Sequence, residues 1–141
     1  MPHILIVEDE PATSWALAEG LTDDGFTIDT FRSAEEAWAW LKTGHSDLVI
    51  SDLRLPGMSG VDLARKLKRG AKAQPVIIVT AYGSPETMRD LERAGVAECF
   101  PKPFPMDDLR RSVRRALSAA SGADGAKRRA SSPARAARRA A

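Results

Sequence analysis

The run Leu48-Val49-Ile50-Ser51-Asp52-Leu53-Arg54-Leu55-Pro56-Gly57-Met58-Ser59-Gly60 decides how the rest of the chain reads. It opens as a short apolar strand and stops on a carboxylate, Asp52. Pro56, Gly57 and Gly60 then mark a turn. Val61, Ala64 and Leu67 follow at helical spacing, and Gly70 ends that pattern. A strand that carries one acid to its C-terminal end places it where open α/β sheets bind ligands. Taken alone, Asp52 reads equally well as the cap of its turn, a role Asp often fills.

The flanking sequence repeats the same unit. His3 to Val7 is a continuous apolar run, as expected of a strand buried on both faces, and it stops at Glu8-Asp9-Glu10. Pro11 suits a first helical turn, and Ala16, Leu17, Gly20 and Leu21 keep helical spacing up to Asp23-Asp24-Gly25. Thr27 to Phe31 alternates as a second strand. Ser33-Ala34-Glu35-Glu36 has capping-box form, with Glu36 reaching back, and Ala37, Trp40 and Leu41 form the inward stripe before Gly44. Beyond the central stretch, Pro75 to Thr80 is a fourth strand ending on a hydroxyl. Ser84-Pro85 starts a helix striped by Met88, Leu91 and Ala94 and stopped by Gly95. Val96 to Phe100 reads as a fifth strand. Met106, Leu109, Val113, Ala116 and Leu117 trace the last helix.

Buried strands alternating with amphipathic helices predict a parallel sheet covered on both faces. With right-handed crossovers the five-stranded solution is the flavodoxin-like doubly wound (βα)5 fold, strand order 2-1-3-4-5. From Ala119 no large apolar residue remains, and Ala, Arg, Ser and Gly dominate. Such a segment cannot bury enough surface to offset its ordering entropy. The expected division is a globular body over 1–118 and a flexible basic tail over 119–141.

The formal net charge of +2 hides a split between the two parts. Residues 119–141 carry six basic side chains and one acid, so the remaining residues are acidic by three charges. The tail is expected to be solvated; the sharper alternative is contact with nucleic acid or an acidic surface. No apolar run approaches the ~20 residues of a membrane span. The first residues meet acids too early for a secretory signal. The single cysteine, Cys99, excludes an internal disulfide and a cysteine-based metal cluster, and fits a reducing cytoplasm.

In the expected fold the strand ends deliver Glu8 and Asp9, Asp52, Thr80 and Lys102 to one edge. Three clustered carboxylates raise one another's pKa unless a cation intervenes. Mg²⁺ answers this, because it takes a few carboxylate or carbonyl oxygens and keeps water or phosphate oxygens in its other positions. One carboxylate is then free to act as a nucleophile toward phosphorus, with Lys102 and the Thr80 hydroxyl neutralising charge on the transferred group. Each of these residues also has a bland reading: helix-start acids, a strand-end threonine, a surface lysine.

Ile4-Leu5-Ile6-Val7-Glu8-Asp9-Glu10, the stretch Asp47 to Gly60, Val76-Ile77-Ile78-Val79-Thr80-Ala81 and Lys102-Pro103-Phe104 together resemble the receiver domain of bacterial two-component response regulators, over about residues 3–117. The resemblance implies that Asp52 is the phosphoacceptor, and that Glu8 and Asp9 hold Mg²⁺ with Asp52 and the backbone carbonyl of Arg54. It implies Thr80 as the switch hydroxyl, Lys102 as the phosphate-binding lysine and a cis Lys102–Pro103 bond. The implied partners are a histidine kinase or histidine phosphotransfer protein, and a downstream protein met through the fourth helix, fifth strand and fifth helix. A homodimer is a further expectation. Such a domain is a phosphoacceptor switch rather than an enzyme.

Four positions depart from the usual pattern or tune it. Cys99 stands where an aromatic is usual, with Phe100 beside it. Either the register is altered there or the aromatic-switch route is weakened. Glu8 replaces the commoner Asp. Arg54 and Tyr82 occupy positions that tune phosphoryl lifetime in the family, and both are bulky.

The leading expectation is a stand-alone receiver. One alternative is the receiver portion of a larger DNA-binding transcription regulator of the nitrogen-regulation type, suggested by Phe100 to Phe104. Another is a receiver that signals without phosphate. A dehalogenase-like phosphatase is disfavoured, because its second acid would fall on Arg54. His3 and His45 read as structural or solvated, and Trp15 and Trp38 fall off the inward stripes and mark candidate contact surfaces.

Overall fold

Strands β1 (His3–Val7), β3 (Leu48–Asp52) and β4 (Val76–Thr80) are buried along nearly their whole length in the computed structural model, which describes residues 2–70, 74–81 and 83–121. Their runs of Ile, Leu and Val suit a pleated sheet covered on both sides. β2 (Thr27–Phe31) lies at one edge and β5 (Glu98–Pro101) at the other, giving a parallel sheet of order β2-β1-β3-β4-β5. This is the order expected from the sequence.

Alternation along each strand divides the core in two. Leu5, Val7, Val49, Val76, Ile78 and Cys99 face one side, against helices α2 (Ala34–Leu41), α3 (Gly60–Arg69) and α4 (Pro85–Arg93). Ile4, Ile6, Leu48, Ile50, Ile77 and Val79 face the other, against α1 (Pro11–Thr22) and α5 (Met106–Ser121). Each fully buried Ile or Leu contributes about 2 kcal/mol before chain ordering is counted.

Caps set the helix starts. Ser33 accepts the Glu36 N–H at 3.1 Å, as expected. The Glu36 carboxylate, however, takes the Arg32 N–H at 3.4 Å instead of returning to Ser33. The reciprocal capping box belongs to α3, between Ser59 and Asp62. Ser84 caps α4 through the Thr87 N–H, and Pro85 follows in its first turn.

Two boundaries differ from expectation. β5 starts at Glu98, because the Val96 N–H is used to close α4 on the Leu91 carbonyl. α5 continues through Ser121, so the expected boundary at 118 falls inside a helix; Ala119 and Ala120 are strong helix formers. The remainder of the expected tail, 122–141, lies outside the described residues.

Gly60 explains how α3 starts so close to the sheet. Its N–H bonds the Leu53 carbonyl at 3.0 Å. A Cβ there would strike the Asp52 carbonyl oxygen and crowd Ser51 Oγ and Ile78 Cδ1 at 3.1 Å. Only glycine lets the chain turn this tightly beneath the strand end.

Candidate functional site

The C-terminal edge of the sheet gathers the polar residues that its strands deliver. Glu8 follows β1 directly and is 2% exposed, and its N–H is held by the Phe31 carbonyl at 3.0 Å. Asp52 is the last residue of β3 and Thr80 the last of β4, both buried. Lys102 follows β5, its N–H bonded to the Thr80 carbonyl at 2.7 Å, and the Lys102–Pro103 peptide is cis, as expected.

Lys102 joins the acids. Its Nζ lies 3.0 Å from Glu8 Oε1 and 3.2 Å from Asp52 Oδ2. Glu8 Oε2 accepts the Glu10 N–H at 3.2 Å, and Asp52 Oδ1 accepts the Arg54 N–H at 3.4 Å. One oxygen each from Glu8, Asp9 and Asp52 falls within 4.8 Å of the others. All five side chains expected to act here, those of Glu8, Asp9, Asp52, Thr80 and Lys102, therefore stand at adjoining strand ends. Arg54 begins the loop just beyond. Tyr82 lies outside the described residues.

Burial pushes the Glu8 carboxyl above its ordinary range. Its bonds from Lys102 and the Glu10 N–H oppose that rise, and the Asp52 charge adds to it. For Lys102, burial works against the charged ammonium, but the bonds and charges of Glu8 and Asp52 outweigh it, and the net direction is upward. The site thus holds a charged lysine among three acids, with negative charge in excess. Its donor atoms are hard oxygens without imidazole or thiolate, which fits Mg²⁺ better than a softer metal.

The fifth strand resolves one question left by the sequence. β5 pairs with β4 without a bulge, Cys99 beside Ile78 and Phe100 beside Val79. The register is unaltered. Cys99 therefore points toward α4, in the core with Met88, Leu91 and Ala94. Phe100 points to the opposite side and packs against Phe104, with ring centroids 5.6 Å apart. Burial raises the Cys99 thiol to about 11, so it is an inert apolar filler at neutral pH.

The two histidines take structural or exposed places and Trp15 lies on the surface, as the sequence suggested, whereas Trp38 packs partly buried against the core on the α2, α3 and α4 side. His3 stacks on Trp40 and bonds Asp29 at 2.7 Å, a structural role at the far end of the sheet. Trp38 is half-buried beneath Lys66. Trp15 is 67% exposed, on α1. Sequence reasoning missed Glu35, whose carboxylate leaves its own helix to accept the Met58 N–H at 2.7 Å. The two residues are 23 apart, and no local pattern signals the contact. It also missed a buried acid away from the site, Glu98, which accepts the Ser112 hydroxyl and pairs with Arg115 at 3.3 Å.

Fold and site define a phosphoacceptor type of signalling domain, and comparison with known proteins agrees. The chain belongs to the response regulator receiver domain family, whose model matches residues 4–114; it is a receiver domain of two-component response regulators. It is 35% identical over 113 residues to the DNA-binding transcriptional regulator NtrC of Klebsiella pneumoniae, covering 80% of this chain and 24% of that one. It is 36% identical over 119 residues to the two-component response regulator PhoP of Pseudomonas aeruginosa, covering 84% and 53%. The chain thus spans between a quarter and about half of these relatives. Among solved structures, the response regulator TrrA of Thermotoga maritima in complex with Mg²⁺-BeF superposes with a TM-score of 0.75 at 35% identity, covering 82% of this chain and 99% of that one. The receiver domain of a putative LuxO repressor from Vibrio parahaemolyticus gives 0.82 at 29% identity, covering 87% and 95%. Among the described residues, no helix is long and apolar enough to cross a membrane.

Proposed function

We propose that Asp52 accepts a phosphoryl group from a phosphohistidine and that the resulting acyl phosphate changes which protein the domain contacts. The observation that carries this reading is the Lys102 ammonium set between Glu8 and Asp52, at 3.0 and 3.2 Å, with Asp9 beside them. A carboxylate oxygen of Asp52 attacks phosphorus. The P–N bond of the donor breaks, and its electron pair returns to the imidazole. Lys102 is placed to follow the new phosphoryl oxygens, and the Thr80 hydroxyl is the switch group that turns toward them. Asp9, Asp52, the Arg54 carbonyl and, at longer reach, Glu8 are the groups that would hold Mg²⁺. Bound there, the ion supplies charge neutralisation at the transferring group. A relative 35% identical is seen in complex with Mg²⁺-BeF, which supports the metal assignment.

The domain is then a substrate switch whose only chemistry is its own phosphorylation and loss of phosphate. Its donor is a histidine kinase or phosphotransfer protein, and its output runs through the face of α4, β5 and α5 to a protein target or a second copy. A second reading is favoured by the match to NtrC, of which the chain spans 24%: the same switch acting within a longer DNA-binding regulator. The basic segment 119–141 then serves as a linker, or as a contact for an anionic surface.

The test is incubation of the native chain with a small phosphodonor and Mg²⁺, followed by intact-mass measurement. One added phosphoryl mass, lost on omitting Mg²⁺, is the expected result. An unchanged mass sinks the reading in favour of a receiver that signals without phosphate.

The donor protein has a natural seat. A groove of about 430 Å³ runs from the site along α1, with Glu8 and Asp9 at one end and Ser14, Trp15, Phe31 and Arg32 along it. A protein that brings an imidazole to Asp52 covers this groove, and an exposed Trp beside a cleft is a typical anchor. Trp15→Ala is expected to slow transfer from the donor protein by about tenfold or more while leaving the rate from a small phosphodonor unchanged. Equal slowing of both rates would place Trp15 outside donor docking.

A further inference from the structure

The loop between β3 and α3 carries the Arg54 carbonyl, and its hold on that position comes partly from another layer of the molecule. At its start, Leu53 N–H bonds the Val79 carbonyl at 3.1 Å, and at its end Ser59 caps α3. Between these anchors lies Arg54 to Met58, whose Leu55 and Met58 side chains rest on the core below. From α2, the Glu35 carboxylate reaches over this stretch and accepts the Met58 N–H at 2.7 Å. The contact is close enough to shape the loop's sequence. Gly57 has φ of +77°, and a Cβ on it would strike Glu35 Oε2 and crowd Cδ and Oε1 at 3.2 and 3.3 Å. Glycine is required there by its left-handed backbone, and the Glu35 carboxylate lies over it where a side chain would otherwise stand.

An acid in the first turn of a helix ordinarily serves the helix dipole. Glu35 occupies such a position, yet its oxygen is spent on a backbone 23 residues away. A charge-assisted bond to a backbone N–H is among the stronger hydrogen bonds, and this one crosses from α2 to the segment that follows the phosphoacceptor.

We propose that Glu35 is a positioning residue for the metal and phosphoryl site: its bond to Met58 fixes the loop and so sets where the Arg54 carbonyl stands relative to Asp52. The inference rests on the reading that Asp9, Asp52 and Arg54 hold a divalent cation. Outer groups that orient ligands typically change metal affinity by about 10- to 100-fold when removed. Because Glu35 acts at the end of a short loop, the lower part of that range applies.

The experiment is calorimetric titration of the full chain with Mg²⁺ alone, comparing native protein with Glu35→Ala, Glu35→Asp and Glu35→Gln. Alanine removes the acceptor, and aspartate keeps the charge but falls short by one methylene. Glutamine keeps an acceptor oxygen at the right reach. Mg²⁺ affinity is expected to fall about tenfold in Glu35→Ala and Glu35→Asp, and to stay within about twofold of native in Glu35→Gln. Phosphorylation of Glu35→Ala by a small phosphodonor should recover at high Mg²⁺. Unchanged affinity in Glu35→Ala overturns the proposal, as does a Glu35→Gln variant as weak as Glu35→Ala, which would make the charge and not the bond responsible. If the native chain itself takes up no Mg²⁺, the underlying site reading fails first. A drop in melting temperature with native Mg²⁺ affinity assigns Glu35 to folding alone and overturns the proposal too.

Discussion

An Asp52→Asn variant, given a small phosphodonor and Mg²⁺, is expected to gain no phosphoryl mass under conditions where the native chain gains one. The expected loss is complete, because an amide oxygen does not form the acyl phosphate that a carboxylate forms. Misfolding would not explain it. Asparagine fills the same space, and its carbonyl oxygen can accept either the Lys102 ammonium or the Arg54 N–H, which reach Asp52 at 3.2 and 3.4 Å. The Asp52 charge is also one cause of the raised Glu8 pKa, so neutralising it relieves repulsion inside the site. The variant should keep the native circular dichroism spectrum and a melting temperature close to native. A phosphoryl mass that survives in Asp52→Asn would move the acceptor to another residue and break the correspondence with the strand end on which the site is built.

The parts of the molecule readable from sequence are those fixed by burial and by local geometry. His3 to Val7, Leu48 to Ile50 and Val76 to Val79 are apolar on both faces, and alternating with amphipathic helices such runs form a parallel sheet covered on both sides. Their order decides which strand ends adjoin, and so brings Asp52, Thr80 and Lys102 to one edge. Ser84, Pro85 and the cis bond at Pro103 were equally legible, two from capping chemistry and one from resemblance. Long-range polar contacts were not. The Glu35 carboxylate and the Met58 N–H carry no mark in sequence that they belong together, because either has many alternative partners within reach of an unfolded chain. The Glu36 cap was misplaced by one residue for a related reason: a flexible carboxylate can reach either of two neighbouring N–H groups. β5 was drawn two residues early, since Val96 and Ala97 suit a strand and only the α4 closure claims the first of them.

Cys99 shows where sequence and structure together narrow the signalling route. With the register regular, the usual aromatic position is filled by a small buried thiol facing α4. A side chain of that size cannot swing between a buried and an exposed pose that both cover the same surface. Phe100 does not substitute for it, since it packs on the opposite side of the sheet. Under the proposed function, a change at Thr80 would be relayed through α4, whose Met88 and Leu91 share the core with Cys99.

Replacing Lys102 with methionine tests the electrostatic balance of the site. The side chain keeps much of its volume, but Glu8, Asp9 and Asp52 lose the ammonium between them. Removing one member of a buried ion pair costs about 3–5 kcal/mol, and partial water access at Lys102 and Asp52 favours the lower end, about 3 kcal/mol at pH 7.5 without Mg²⁺. The pH dependence follows from the directions of the two shifts. Lys102 titrates above its ordinary 10.5, so the stability it supplies is full below that value and is lost only as pH rises through the folded value. The variant lacks this contribution throughout the neutral range. Glu8 titrates above its ordinary 4.5, so the folded chain holds that proton more tightly than the unfolded chain. Stability linked to Glu8 is full below 4.5 and is lost as pH rises through the folded value. Lys102 opposes the rise, so its removal drives Glu8 further up and carries the loss toward neutrality. Urea unfolding should therefore show the gap between native and Lys102→Met narrowing from pH 7.5 toward pH 5, as Glu8 takes up its proton. Added Mg²⁺ should close part of the gap at pH 7.5, because without the ammonium on Glu8 and Asp52 the variant's folded site binds the cation more tightly and gains more stability from it. A gap that is constant across this range, and indifferent to Mg²⁺, would mean that Lys102 supports the fold by packing and not by neutralising the acids.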